Sequence, residues 1–198
     1  MVGKVCCLFV GMIWLVEMAQ GNRQCICTTP PVNQKLVPLK SQFNRELRFN
    51  VYRFVVTAAD TGRVRDVQVR AYRGALLLTN FQVRVDGAVT GAEVADLDTN
   101  RFPELYIYTT SDGSGSFGRV YGWQFFPERK ADIVSDNWRE IRPQGYMGHD
   151  SLWVYRNRLC RRFPIYQPGD ANVEPSGGYQ LIRYKLRPAG AAFALTID

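Results

Sequence analysis

From residue 43 onward, apolar residues recur at every second position, and few runs show the three-to-four spacing of an amphipathic helix. In "RDVQVRAY", Val67, Val69 and Ala71 alternate with Gln68 and Arg70. In "LLLTNFQVRVDG", Phe81, Val83 and Val85 share one face. "RELRFNVYRFVV" reads as one run, with Leu47, Phe49 and Val51 set against Arg48, Asn50 and Tyr52. "PELYIYTT", "GRVYGWQFF", "DSLWVYRN", "RLCRRFPIY" and "GYQLIRYKL" continue the pattern. They are rich in Val, Tyr, Phe and Trp, which suit a pleated, half-buried surface. Turn residues punctuate the runs at Asp60-Thr61-Gly62, Asp86-Gly87, Pro168-Gly169-Asp170 and Ser176-Gly177-Gly178. The pattern predicts an all-β fold: an antiparallel β-sandwich of about eight or more strands, or a closely related barrel. One or two short helices are expected beside it, one of them near Asp132 to Arg142.

The first 42 residues do not fit this pattern. A basic start is followed by the apolar run "VCCLFVGMIWLV", then "EMAQG" with small residues at Ala19 and Gly21. Residues 1–21 therefore read as a secretory signal, whose apolar run from Val5 to Val16 is short for a membrane span of roughly 20 apolar residues. Residues 22–42, with "TTPPVNQKLVPLK", read as a tether, and 43–198 as one domain large enough for a substantial core. Cys6 and Cys7 fall within the leader, leaving Cys25, Cys27 and Cys160. Cys25 and Cys27 lack the paired ligands of a zinc site. Cys160 lies in a strand-like run and is expected to be a buried free thiol.

The net charge is +7. Arg45, Arg48, Arg53, Arg63, Arg65, Arg70, Arg73 and Arg84 are dispersed among apolar residues, as on the wet face of a sheet. Nucleic-acid recognition favours clustered basic residues and a reading motif, and neither is present. The charge favours acidic partners instead.

Three stretches invite chemistry. Asp96, Asp98 and Asn100 offer oxygen atoms at alternate positions, as a calcium loop does, with Glu104 beyond them. Arg101 and Ile107, however, stand where an EF-hand needs Gly and a bidentate Glu. The pattern is better read as a turn whose side chains cap backbone N–H groups, with no metal. His149, the single histidine, is followed by Asp150, but no G-x-S-x-G elbow accompanies them, and no catalytic pair of carboxylates is evident. The third stretch is Ser111, Asp112, Gly113, Ser114, Gly115, Ser116, Phe117 and Gly118, ahead of Arg119. It is longer than the two to five residues of an ordinary hairpin loop. No Lys or helix follows to make it a phosphate loop. A slim loop with one aromatic ring on a stiff scaffold reads as a binding loop.

"ADLDTNRFPELYIYTTSDGSGSFGRVYGWQF" and "GYMGHDSLWVYRNRLCRRFPIYQPGDANVEPSGGYQLIRYKL" together resemble the periplasmic inhibitors of invertebrate-type (I-type) lysozyme. The likeness runs roughly from Phe43 to Leu186. It implies an exported, periplasmic β-sandwich that is not an enzyme and needs no cofactor. Its implied partner is a lysozyme, I-type first. Nucleic acid and, once the leader is removed, membrane are not expected partners, while a homodimer is compatible. The loop serine maps to Ser114, and the loop aromatic, usually Tyr, to Phe117, which lacks the hydroxyl. The loop would fill the enzyme's groove, with Ser114 and the N–H groups of Gly113 to Ser116 donating to carboxylates. Phe117 would occupy an apolar subsite, and Arg119 would meet acids at the rim. The alternative expectation is a carbohydrate-binding or envelope structural protein on the same scaffold.

Overall fold

The computed structural model describes residues 41–59, 64–135 and 143–198. The expected leader, nearly all of the tether, Cys25 and Cys27, the turn at 60–62 and positions 136–142 lie outside the described residues. Two sheets account for the fold, and no helix forms among the described residues, so none is long and apolar enough to cross a membrane. The first sheet is a meander of β1 (Ser41–Phe49), β2 (Tyr52–Ala59), β3 (Val64–Arg73) and β4 (Leu76–Asp86). The second contains β5 (Ala88–Ala95), β6 (Glu104–Thr110), β7 (Gly118–Phe125), β8 (Lys130–Val134), β9 (Ser151–Tyr155), β10 (Arg158–Pro164), β11 (Tyr179–Ala189) and β12 (Ala192–Ile197). Its order is β5-β6-β7-β8-β12-β11-β10-β9, nearly closed into a barrel.

Closure is completed by a side chain. The Glu93 carboxylate on β5 accepts the Val154 N–H of β9 at 2.7 Å and the Tyr108 hydroxyl of β6 at 2.6 Å. One carboxylate thus spans the seam between the two end strands, satisfying an edge N–H that no strand pairs.

Two cores follow from this arrangement. The inner face of the first sheet, with Phe54, Val56, Val67 and Val69, packs against Leu105, Ile107, Trp123 and Phe125 on the outside of the barrel wall. The barrel interior holds Tyr106, Tyr108, Leu159, Phe163, Tyr184 and Leu195. Hence β6 is buried on both faces: Leu105 and Ile107 serve one core, Tyr106 and Tyr108 the other. Phe54 is fully buried, and removing such a ring to Ala costs about 3–5 kcal/mol.

Three local expectations are corrected. "RELRFNVYRFVV" is two strands, because the chain turns at Asn50, whose φ is +50°, a conformation asparagine tolerates. The turn exposes Val51 and sends Tyr52, Phe54 and Val56 inward. Asp132 to Val134 belong to β8 and not to a helix, since Ala131 and Ile133 alternate into the core beside β7. The sheet is not purely antiparallel either, because β8 pairs with β12 in parallel. Cys160 is a buried free thiol, as expected.

Candidate functional site

The hairpin of β6 and β7 ends in the ladder pair Thr110–Gly118, and residues 111–117 project beyond it. The neck is closed by Ser111 N–H to the Phe117 carbonyl at 2.9 Å and by Phe117 N–H to Ser111 Oγ at 3.0 Å. Asp112, Gly113 and Ser114 form an exposed tip, while Gly115 and Ser116 are half-buried. Every hydrogen bond that holds the tip uses a carbonyl. Gly113 C=O accepts from Ser116 N–H at 3.3 Å, and Ser114 C=O from Asn172 Nδ2 at 2.8 Å. Gly115 C=O accepts from His149 N–H at 2.7 Å. The N–H groups of Gly113, Ser114 and Gly115 and the Ser114 hydroxyl donate to nothing among the described residues. The tip is therefore rich in free donors, while the carbonyls of Gly113, Ser114 and Gly115 are taken up inside the molecule; the Asp112 carbonyl, the Ser116 carbonyl and the exposed Asp112 carboxylate are the opposing acceptors.

The loop is braced and does not stand as a free finger. Asp150 Oδ2 accepts Gly118 N–H at 2.8 Å and the Tyr146 hydroxyl at 2.6 Å, and Oδ1 accepts Arg161 Nε at 2.7 Å. Asp150 and Arg161 side chains are 0% and 1% exposed. Burial disfavours the charged Arg161 guanidinium, but Asp150 outweighs this and holds it above its ordinary value. Burial, then the Asp150 carboxylate, raises the Tyr146 hydroxyl. Gly118 is a buried strand residue and not part of the tip: a Cβ there would lie 2.6 Å from Asp150 Cβ. Gly148, at φ +96°, lets the neighbouring chain approach, since a Cβ would lie 1.8 Å from the Gly115 carbonyl oxygen. Asn172 is carried by a second turn in which Asp170 accepts Gln167 N–H at 2.7 Å and Ser176 N–H at 2.8 Å. These bonds hold the Asp170 carboxyl below its usual range.

Phe117 lies against Tyr146, ring centroids 5.7 Å apart and edge-on, and remains 39% exposed. It is partly exposed and does not occupy the apex, which is formed by Asp112, Gly113 and Ser114. Arg119 is paired with Asp86 at 2.7 Å, so it is not a free rim cation. Both border a cavity of about 660 Å³ with Tyr121, Trp123, Tyr146 and Arg161 in its lining. His149, expected at a strand entry, sits just before β9 with φ +58°. Its ring Nε2 lies 3.4 Å from Asn172 Oδ1. The sequence pattern did not single out Asp150, Asn172, Tyr146 or Arg161 as parts of the loop. Glycines at 118 and 148 were the only local sign that something packs closely there.

The acidic turn lies at the other end of β6. Asp98 Oδ1 accepts Asn100 N–H at 3.2 Å, Asp96 Oδ2 accepts Arg101 N–H at 3.0 Å, and Asn100 Oδ1 accepts Phe102 N–H at 2.8 Å. The expected capping is therefore present. Arg101 adopts φ +71°, so the backbone makes the turn for which a glycine would be preferred. Glu104, fully buried, accepts Leu97 N–H at 2.8 Å. Burial, compounded by Asp98 and Asp96, pushes its carboxyl up to about 9. One oxygen each of Asp96, Asp98 and Glu104 lie within 4.8 Å of one another. These three are the residues that could hold a cation. Opposite Glu104 in the ladder is Gln124, also fully buried, with Nε2 3.1 Å from Glu104 Oε1 and 3.3 and 3.2 Å from the two Asp98 oxygens.

No family model matches the chain, and no curated protein matches it.

Proposed function

We propose that the protein is a lysozyme inhibitor, directed first at I-type enzymes, that acts in the periplasm after export and catalyses no turnover itself. The observation that carries this reading is the donor-rich tip, in which the carbonyls of Gly113 to Gly115 are consumed inward and the N–H groups of the same three residues and the Ser114 hydroxyl are left free. A lysozyme groove is lined by a catalytic acid and a carboxylate. Free N–H and O–H donors on a slim loop complement it, because hydrogen bonds to a carboxylate are roughly twice as strong as neutral ones. Bracing by Asp150, His149 and Asn172 lowers the ordering cost that a free loop would meet on binding. The exposed part of Phe117 is left to cover an apolar sugar subsite.

The aromatic-lined cavity beside the loop favours a second reading, direct glycan binding. A cell-wall lysis assay against I-type, chicken-type and goose-type lysozymes separates the two. Saturable inhibition of the I-type enzyme is expected, with Ser114→Ala and Phe117→Ala each weakening it by about 1–3 kcal/mol. Undiminished lysis at excess protein in all three classes would overturn the inhibitor reading. Glycan fragments that bind this protein with no lysozyme present would favour the second.

A further inference from the structure

We propose that the turn between β5 and β6 is a calcium site, with Asp96, Asp98 and Glu104 as carboxylate ligands and the Gln124 side-chain oxygen as a fourth. The site is separate from the binding loop, at the opposite end of the hairpin that carries it. Three carboxylates converge, and their ligand atoms lie within 4.8 Å of one another, about twice a calcium–oxygen distance of 2.3–2.6 Å. The shorter bonds and stricter octahedron of magnesium fit that spread less well.

An independent observation points to a missing positive charge. Gln124 is fully buried, and its Oε1 has no hydrogen-bond partner. Asp96 Oδ1 is likewise buried without a partner. Meanwhile the other end of the same Gln124 amide is overcommitted: Nε2 faces three carboxylate oxygens at 3.1–3.3 Å. An amide nitrogen has two hydrogens to share among them, and the distances exceed the 2.7–2.9 Å of good charge-assisted bonds. Turning the amide over presents the orphaned oxygen to the carboxylates. That orientation is repulsive in an empty cluster and favourable around a cation. The oxygen ligands then number four, and backbone carbonyls and water complete the six to eight that calcium takes. Arg101 is no obstacle to the turn, because its backbone already holds the positive φ required.

The test uses the whole protein stripped with a chelator and titrated with calcium or magnesium chloride while heat release and melting temperature are followed. Calcium at about 10 mM should raise the melting temperature by roughly 5 °C or more, and magnesium by less. Glu104→Gln and Asp98→Asn, which keep the side-chain shapes, should fold and lose the calcium response. Gln124→Glu, which makes the fourth oxygen anionic, should bind calcium about tenfold or more tightly. A flat calcium titration of the wild-type protein overturns the proposal, as does a Glu104→Gln variant that responds like wild type. A folded Gln124→Glu variant with weakened calcium response removes Gln124 from the ligand set and with it the argument.

Discussion

Asp150 and Glu104 are both carboxylates with essentially no exposed surface, and their surroundings are opposite. Asp150 has a guanidinium, a phenol and a backbone N–H, so each of its oxygens is matched. Glu104 has one backbone N–H and a shared amide, and its nearest charged neighbours are two further carboxylates. The comparison teaches that burial alone does not say what a buried charge is for. A compensated carboxylate is a brace, here holding the neck of the loop. An uncompensated one must take up a proton or a cation.

The harshest test is removal of the brace. Asp150→Ala leaves Arg161 buried without its counter-charge and should cost about 3–5 kcal/mol in chemical denaturation. A loss below about 1 kcal/mol would mean that Asp150 is no better compensated than Glu104. Next comes the pH response of Glu104 in chelator. Its folded carboxyl, near 9, binds a proton more tightly than the unfolded chain near 4.5. That contribution to stability is fully present below 4.5 and is lost as pH rises through about 9. The chelated protein should therefore lose on the order of 4–5 kcal/mol between pH 5 and pH 9, a little over 1 kcal/mol per pH unit. Glu104→Gln should flatten that slope and match or exceed wild-type stability at the alkaline end. A wild-type profile already flat over this range breaks the contrast.

Smaller effects sharpen the contrast at the loop. Asn172→Ala frees the Ser114 carbonyl and should weaken inhibition by about 1 kcal/mol with little change in melting temperature, since the bond is exposed. An unchanged inhibition constant would show that the tip keeps its shape without that bond. The smallest effect is expected for the Arg119–Asp86 pair, which is partly exposed. Arg119→Ala should cost about 0–1 kcal/mol of stability, and its removal should not abolish inhibition.

Much of the fold was legible because a two-residue period survives any packing arrangement. Val67, Val69 and Ala71 are all buried as their alternation predicts. Three strands carry no such signature. β5, "AVTGAEVA", is built from small residues around Gly91, β8 is short, and β12 is a brief "AFALTI" run. Each carries too little alternation by itself and becomes a strand because a neighbouring ladder pairs it. The β1–β2 boundary is hidden in the alternation because one asparagine, in a left-handed conformation, reverses which residues face inward. At the candidate site the exposed tip was legible from its glycines and serines. Its brace was not, because Asp150 and Asn172 lie 32 and 58 positions from the loop atoms they hold.

By itself the sequence determined an all-β chain with an exposed Ser/Gly loop and a buried thiol, since strand periodicity and local flexibility are properties of neighbouring residues. The tertiary structure alone decided that eight strands nearly close on themselves, that β6 is buried on both faces, and that Asp150 has a counter-charge while Glu104 has none. Those outcomes depend on which distant groups arrive at each buried polar atom. No local pattern specifies that meeting, because electrostatic compensation is set by distance in space and not by distance along the chain.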